Sequence, residues 1–235
     1  MKIIKYASIG FLLGFLLSLI TFKASAQDQK YSRNYNVNNF SEIYLEGAYK
    51  VYLKQGEEPA LKVSAPNEEV FDYYDISSDQ SELHVTMKDR YIHFTKLTLY
   101  ITVKNLDKIH IEGGVKLGTS GYIHVNDLDV HVEGGANIEM RVKGGALSAT
   151  GEGGVLFRFI GTADNLVAKL SGAGHLDAGE LKTKNVTVKI EGVGTGSVYA
   201  TDELWTEIDG LGKISYRGDP QVHRTIEGIG AVSHD

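Results

Sequence analysis

From Phe40 onward the chain alternates apolar and polar residues. "SEIYLEGAYKVYLKQGEEP" gives two extended stretches interrupted at Gly47-Ala48, then a turn over residues 56–59. "ALKVSA", "SELHVTMKD" and "KLTLYITVKN" repeat the alternation and predict further strands. "PNEEVFDYYDI" differs. Its Pro start, early acidic residues and Val70/Phe71/Tyr74 spacing predict one or two helical turns. Residues 27–38 are polar without a period and read as a flexible lead.

Beyond residue 105 the alternation is punctuated by a recurring phrase. "HIEGGVKL", "HVEGGANI", "TGEGGVLF", "KLSGAGHL", "KIEGVGTG", "EIDGLGKI" and "TIEGIGAV" place their first glycines at 113, 134, 153, 172, 192, 210 and 228. The steps are 21, 19, 19, 20, 18 and 18 residues. An eighth copy, "YLEGAYKV", lies at Gly47, 66 residues before Gly113, a gap that would hold three further irregular turns. The period is too short for helical repeats and suits two or three short strands with corners. Within each copy Ile111, Val132, Leu170, Ile190, Ile208 and Ile226 are placed inward, as are Leu117, Ile138, Phe157, Leu176, Ile214 and Val232 after the glycines. His110, His131, Lys169, Lys189, Glu207 and Thr225 are placed outward. The pattern predicts an all-β chain. Its repetitive part, residues 106–235, is expected to be a parallel β-solenoid of 18–21-residue coils, and residues 39–105 a more irregular β region. A sandwich or barrel of antiparallel hairpins is the rival, because hairpins at this spacing also repeat turn signals.

The N-terminus changes what counts as the folded chain. Lys2 and Lys5, an apolar run and Ala24-Ser25-Ala26 form a secretory signal over residues 1–26. The apolar run is about 16 residues, short of the ~20 that span a bilayer. Losing Lys2, Lys5 and Lys23 takes the formal net charge from −6 to −9, a poor balance for binding nucleic acid. The sequence has no Cys, so disulfides and thiolate-held metals are excluded and the core holds the chain together alone. The expected location is outside the cytoplasm: periplasm, outer-membrane surface or extracellular space.

Several of these stretches also point to a family. "FSEIYLEGAYKVYLKQG", "SELHVTM", "SGAGHLDAGEL" and above all "GLGKISYRGDPQVHRTIEGIGAV" resemble the bacterial family named putative auto-transporter adhesin, head GIN domain. The resemblance covers residues 37–235. It implies an exported, often two-part β-solenoid without established enzyme activity, and it supplies no catalytic residue to carry over.

Candidate chemistry follows from columns of like residues. Glu112, Glu133, Glu152, Glu191, Asp209 and Glu227 would line up ~4.8 Å apart, interrupted at Ser171. Such a column either bridges cations or is an exposed ladder compensated by Lys143, Lys169 and Lys189. His110 and His131 share one position and would stack, a candidate pair for Zn²⁺ or Ni²⁺ against the blander reading of two solvated imidazoles. No nucleophile, metalloprotease or phosphate-loop motif occurs, so no enzyme activity and no cofactor are expected. Tyrosine is concentrated: nine of 13 lie between Tyr31 and Tyr100. Alternation around Ile43, Leu45, Val51 and Leu53 turns Tyr44, Lys50, Tyr52 and Lys54 outward as the candidate contact residues, against a bland role in covering a sheet face. The expected function is a non-enzymatic envelope binding or adhesion module. Its alternatives are a structural role or a carbohydrate-active enzyme. The expected partner is a surface glycan or protein. Because "TIEGIGAVSHD" stops without a cap, the end is expected to be covered either by self-association into a homo-oligomer or by residues 40–54.

Overall fold

The computed structural model describes residues 31–79, 81–88 and 97–235. The signal over residues 1–26 lies outside them. Eight strands account for almost all of the described chain: β1 (Tyr31–Tyr35), β2 (Glu42–Gln55), β3 (Ala60–Ala65), β4 (Tyr74–Asp79), β5 (Glu82–Met87), β6 (Leu97–Val103), β7 (Lys108–Arg217) and β8 (Gln221–His234). The expected helical segment is one short 3-10 turn, Glu69–Tyr73, started by Val70 N–H donating to Asn67 Oδ1. Val70 and Phe71 are buried on its inner side. No helix among the described residues is long and apolar enough to cross a membrane.

β2 organises the sheet. Along one edge its first half pairs in parallel with β5 (Ile43 opposite Leu83) and its second half with β6 (Val51 opposite Leu99). Along the other edge it pairs with the start of β7, placing Gly47 opposite Gly113. β3 then lies antiparallel on β6, β1 antiparallel on β3, and β4 antiparallel on β5. β8 pairs in parallel with the end of β7, Gly210 opposite Gly228.

The expected parallel β-solenoid is therefore corrected. Three of the seven strand pairings among the described residues are antiparallel, and the mixed sheet curls into a half-barrel. The physical reason lies in the 66 residues between Gly47 and Gly113. They were expected to hold three more turns, yet Gly47 and Gly113 are direct neighbours. Between them β4 and β5 fold back on each other, turning sharply at Ser81, whose φ is 85°, and β3 pairs antiparallel with the more distant β6. Nor is the rest a set of separable repeats, since β7 runs without interruption over 110 residues, bending at its glycines. The stretch expected to be a flexible lead also contributes β1.

The bends in β7 fall at glycines. Gly134 has φ +121°, and a Cβ there would sit 2.7 Å from the Gly113 carbonyl oxygen. Only a residue without a side chain combines that backbone angle with that approach. Each later phrase likewise lies against the one before it.

A continuous core fills the concave side. Ile111, Val132, Leu170, Ile190 and Ile208 are all buried, as the alternation predicted, and Phe157 stacks beside Phe159. Ile226, expected in the same buried column, is 38 % exposed because β8 lies at the edge of the sheet and pairs only with β7. The N-terminal strands do not cover this end: β2 pairs with the start of β7, not with β8. Tyr49 is a large polar side chain deep in the core. Its hydroxyl donates to the Glu46 carbonyl at 2.6 Å, and the Val85 carbonyl lies 3.1 Å away. Burial, with Tyr74 nearby, pushes its ionisation well above the usual tyrosine range.

Candidate functional site: the outward face of β2

The four sequence-predicted contact residues separate into two groups. Tyr44 is half-buried, while Lys50, Tyr52 and Lys54 are exposed. The bend at Gly47 divides them.

Tyr44 belongs to a ladder of rings. Parallel pairing sets His84 on one side of it and His110 on the other. Ring centres lie 5.5 Å and 5.2 Å away, and His131 continues the stack 5.0 Å beyond His110. The Tyr44 hydroxyl donates to Glu112 Oε1 at 2.8 Å. Burial first, then this hydrogen bond to a carboxylate, pushes its pKa up to about 12. Tyr44 is thus committed to internal contacts. The bland reading of a ring that covers a sheet face describes it better than a free contact residue.

The histidines each face their own carboxylate: His110 Nε2 lies 3.3 Å from Glu112, His131 Nε2 3.1 Å from Glu133, and His84 Nε2 2.9 Å from Glu82. His110 and His131 stack as expected but do not converge on a shared point. Among the described residues no group of three or more His, Asp or Glu is placed to hold a metal ion. Farther along β7 lysines take over the compensation. Lys189 contacts Glu191 at 3.0 Å and Glu207 at 2.9 Å, and Lys169 contacts Glu191 at 3.1 Å. Hydrogen bonds from Lys189, Lys169 and Ser171 hold the Glu191 carboxyl down at about 2. Lys143, expected to join this compensation, instead sits 4.4 Å over the Tyr122 ring.

Tyr52 and its lysines form the open part of the face. Tyr52 stacks on Tyr100 with ring centres 5.3 Å apart and 15° between planes. Lys50 Nζ lies 4.9 Å from the Tyr52 ring centre and Lys62 Nζ 6.0 Å from that of Tyr100. Hydrogen bonding with the Tyr52 hydroxyl raises the Lys50 pKa, so its charge is held firmly. On the other side of Tyr52 the paired residue of β7 is Gly118. No side chain occupies that place, and nothing stands within 4 Å of where a Cβ would be. The Tyr52 ring thus has Tyr100 stacked on it and Lys50 Nζ over it, while the place beside it at Gly118 is vacant, next to exposed Lys50, Lys54 and Lys116.

Sequence reasoning missed Gly118, Tyr100 and Lys62. Gly118 had a signal: it stands five residues after its glycine, as Tyr52 does after Gly47. Lys62 had none, because it reaches Tyr100 through an antiparallel pairing. Also unforeseen is Trp205, half exposed, stacked on His223 at 3.9 Å, with Nε1–H donating to Glu203.

No curated protein matches the chain. Among solved structures it is similar to a "putative adhesin" from Bacteroides fragilis, at 21 % identity and TM-score 0.84, covering 88 % of this chain and 97 % of that one. It is similar to a "putative lipid binding protein" from Parabacteroides distasonis, at 24 % identity and TM-score 0.71, covering 88 % and 96 %. A "putative adhesin" from Parabacteroides merdae matches at 22 % identity and TM-score 0.68, with the same coverages. At these identities the likeness is one of fold. The sequence profile of the family described as "Putative auto-transporter adhesin, head GIN domain" matches residues 39–220, nearly the whole described chain, and the protein belongs to that family.

Proposed function

We propose that this protein is an exported, non-enzymatic binding module of the cell envelope, and that its ligand is an acidic surface glycan. The observation that carries the reading is the vacant place at Gly118 beside Tyr52. A sugar ring presents C–H groups that pack on an aromatic face, and Gly118 leaves one such place vacant beside Tyr52. Lys50, Lys54 and Lys116 border it, a local positive cluster on a chain whose net charge is negative. Ammonium groups there suit carboxylate or sulfate groups on the sugar. Family membership and the adhesin-like neighbours support the surface role.

An array of neutral, carboxylated and sulfated glycans tests the reading. The protein should retain acidic glycans. Tyr52→Ala should weaken retention by roughly tenfold or more, a loss of ~1.4 kcal/mol. Gly118→Leu, which fills the open place, should do the same without loss of folding. Retention of no glycan, or retention indifferent to both substitutions, overturns the proposal. Cleavage of a bound glycan overturns its non-enzymatic part.

A further inference from the structure

The residue after the first glycine of each phrase traces two unlike surfaces along one line. In three phrases it is Gly114, Gly135 and Gly154, and at each there is nothing within 4 Å of where a Cβ would stand. A groove of about 940 Å³ runs over them. In the last three phrases the same position is Val193, Leu211 and Ile229, which are 56, 49 and 76 % exposed. Three projecting apolar side chains therefore follow three empty places, both at the ~4.8 Å spacing of neighbouring strands. Exposed apolar rows of this kind mark contacts.

We infer that the ridge of one copy seats in the groove of a second copy of this chain, Val193 over Gly114, Leu211 over Gly135 and Ile229 over Gly154. Charge selects this arrangement over its alternative. If the two copies ran their strands in the same direction, each residue before a glycine would face its counterpart. Glu112 would meet Glu227, Glu133 would meet Asp209, and Glu152 would meet Glu191. With strands opposed, the residue before a glycine faces the residue three places after one. Lys116 then meets Glu191 and Lys213 meets Glu133, with a single like-charged meeting, Glu139 with Glu207, in place of three. Like charges set opposite each other repel, and opposite charges fix the register. The selected contact is heterologous. One copy keeps its ridge and the other its groove, but a third copy there would set its β5 and β6 where β8 of a bound copy already lies, so assembly stops at two.

Sedimentation velocity of the exported chain across the micromolar range tests this. The wild-type protein should pass from monomer to dimer as concentration rises. Leu211→Lys breaks the ridge and leaves the groove, and Gly135→Leu fills the groove and leaves the ridge. Each alone should weaken association by roughly tenfold or more. Gly135 has ordinary backbone angles and open space, so its variant should melt like the wild type. An equimolar mixture of the two variants should form one dimer and stop, because the intact ridge of one meets the intact groove of the other. A wild-type monomer throughout overturns the inference. So do wild-type species larger than a dimer, or a mixture that stays monomeric. Loss of a co-purifying acyl lipid on Gly135→Leu, with unchanged mass, would assign the groove to lipid instead.

Discussion

The strands of β7 nearest β2 and those nearest β8 solve the same problem with different chemistry. Both place a carboxylate before each glycine on the outward face. Near β2 it is met by histidine, as in His110–Glu112 and His131–Glu133, whereas near β8 it is met by lysine, as in Lys189–Glu191–Lys169. The glycines shift as well. Near β2 a second glycine directly follows the first, as at Gly134-Gly135, and the next residue, Ala136, is buried. Near β8 an exposed apolar residue follows the first glycine, and the second glycine comes one place later. There it is pressed against the core: a Cβ on Gly212 would lie 2.7 Å from Ile208 Cγ2. What the two regions share is what the sheet requires, namely inward aliphatics and one glycine at a positive φ. What differs faces solvent, where the fold imposes little and binding is free to diverge.

The buried column gives the largest expected contrast. Ile190→Ala should cost about 2–5 kcal/mol of stability, as large-to-small changes in a packed core do. Ile226→Ala, in the same column but on the last strand, should cost under about 1 kcal/mol. Urea denaturation of both variants reads the difference. Equal losses would mean that β8 is covered in solution.

Glycine substitutions separate the shared position from the variable one. Gly134→Ala meets both a positive φ and the Gly113 carbonyl, and should cost about 1–3 kcal/mol. Gly135→Ala, one residue on, should stay within about 0.5 kcal/mol of wild type. Comparable melting points for the two would break the distinction between the structural glycine and the glycine that opens the groove.

The smallest effects should divide the two regions by pH. Glu191 titrates lower in the folded chain than in the unfolded one, so its pairing stabilises above about pH 4.5 and is lost as the pH falls toward about 2. Tyr44 titrates higher when folded. The stability tied to its neutral form is present below about pH 10 and is lost as the pH rises toward about 12. Glu191→Gln should flatten the acid limb of the stability profile and Tyr44→Phe the alkaline limb. If either variant altered the opposite limb, the two regions would be coupled rather than separate.

Much of this was legible in the residues. The period-2 alternation placed Ile111, Val132 and Ile190 inward without knowledge of any partner strand, because a strand's side chains alternate whatever it pairs with. The glycine phrase marked the bends for a similar reason, since a positive φ is a local demand. The family was also within reach, through phrases whose constraints are those same bends. Strand direction was not. Whether residues 57–105 wind onward or fold back depends on which sheet edge is nearer when they arrive, and no residue in "ALKVSA" records that. The same limit governed the contact face. Tyr44 and Tyr52 are equivalent in alternation, yet one is tied to Glu112, 68 residues away, and the other faces a bare Gly118. Periodicity decides which side of a strand a residue is on. The neighbours across the hydrogen-bonded edge, supplied by distant chain, decide whether it is occupied or free.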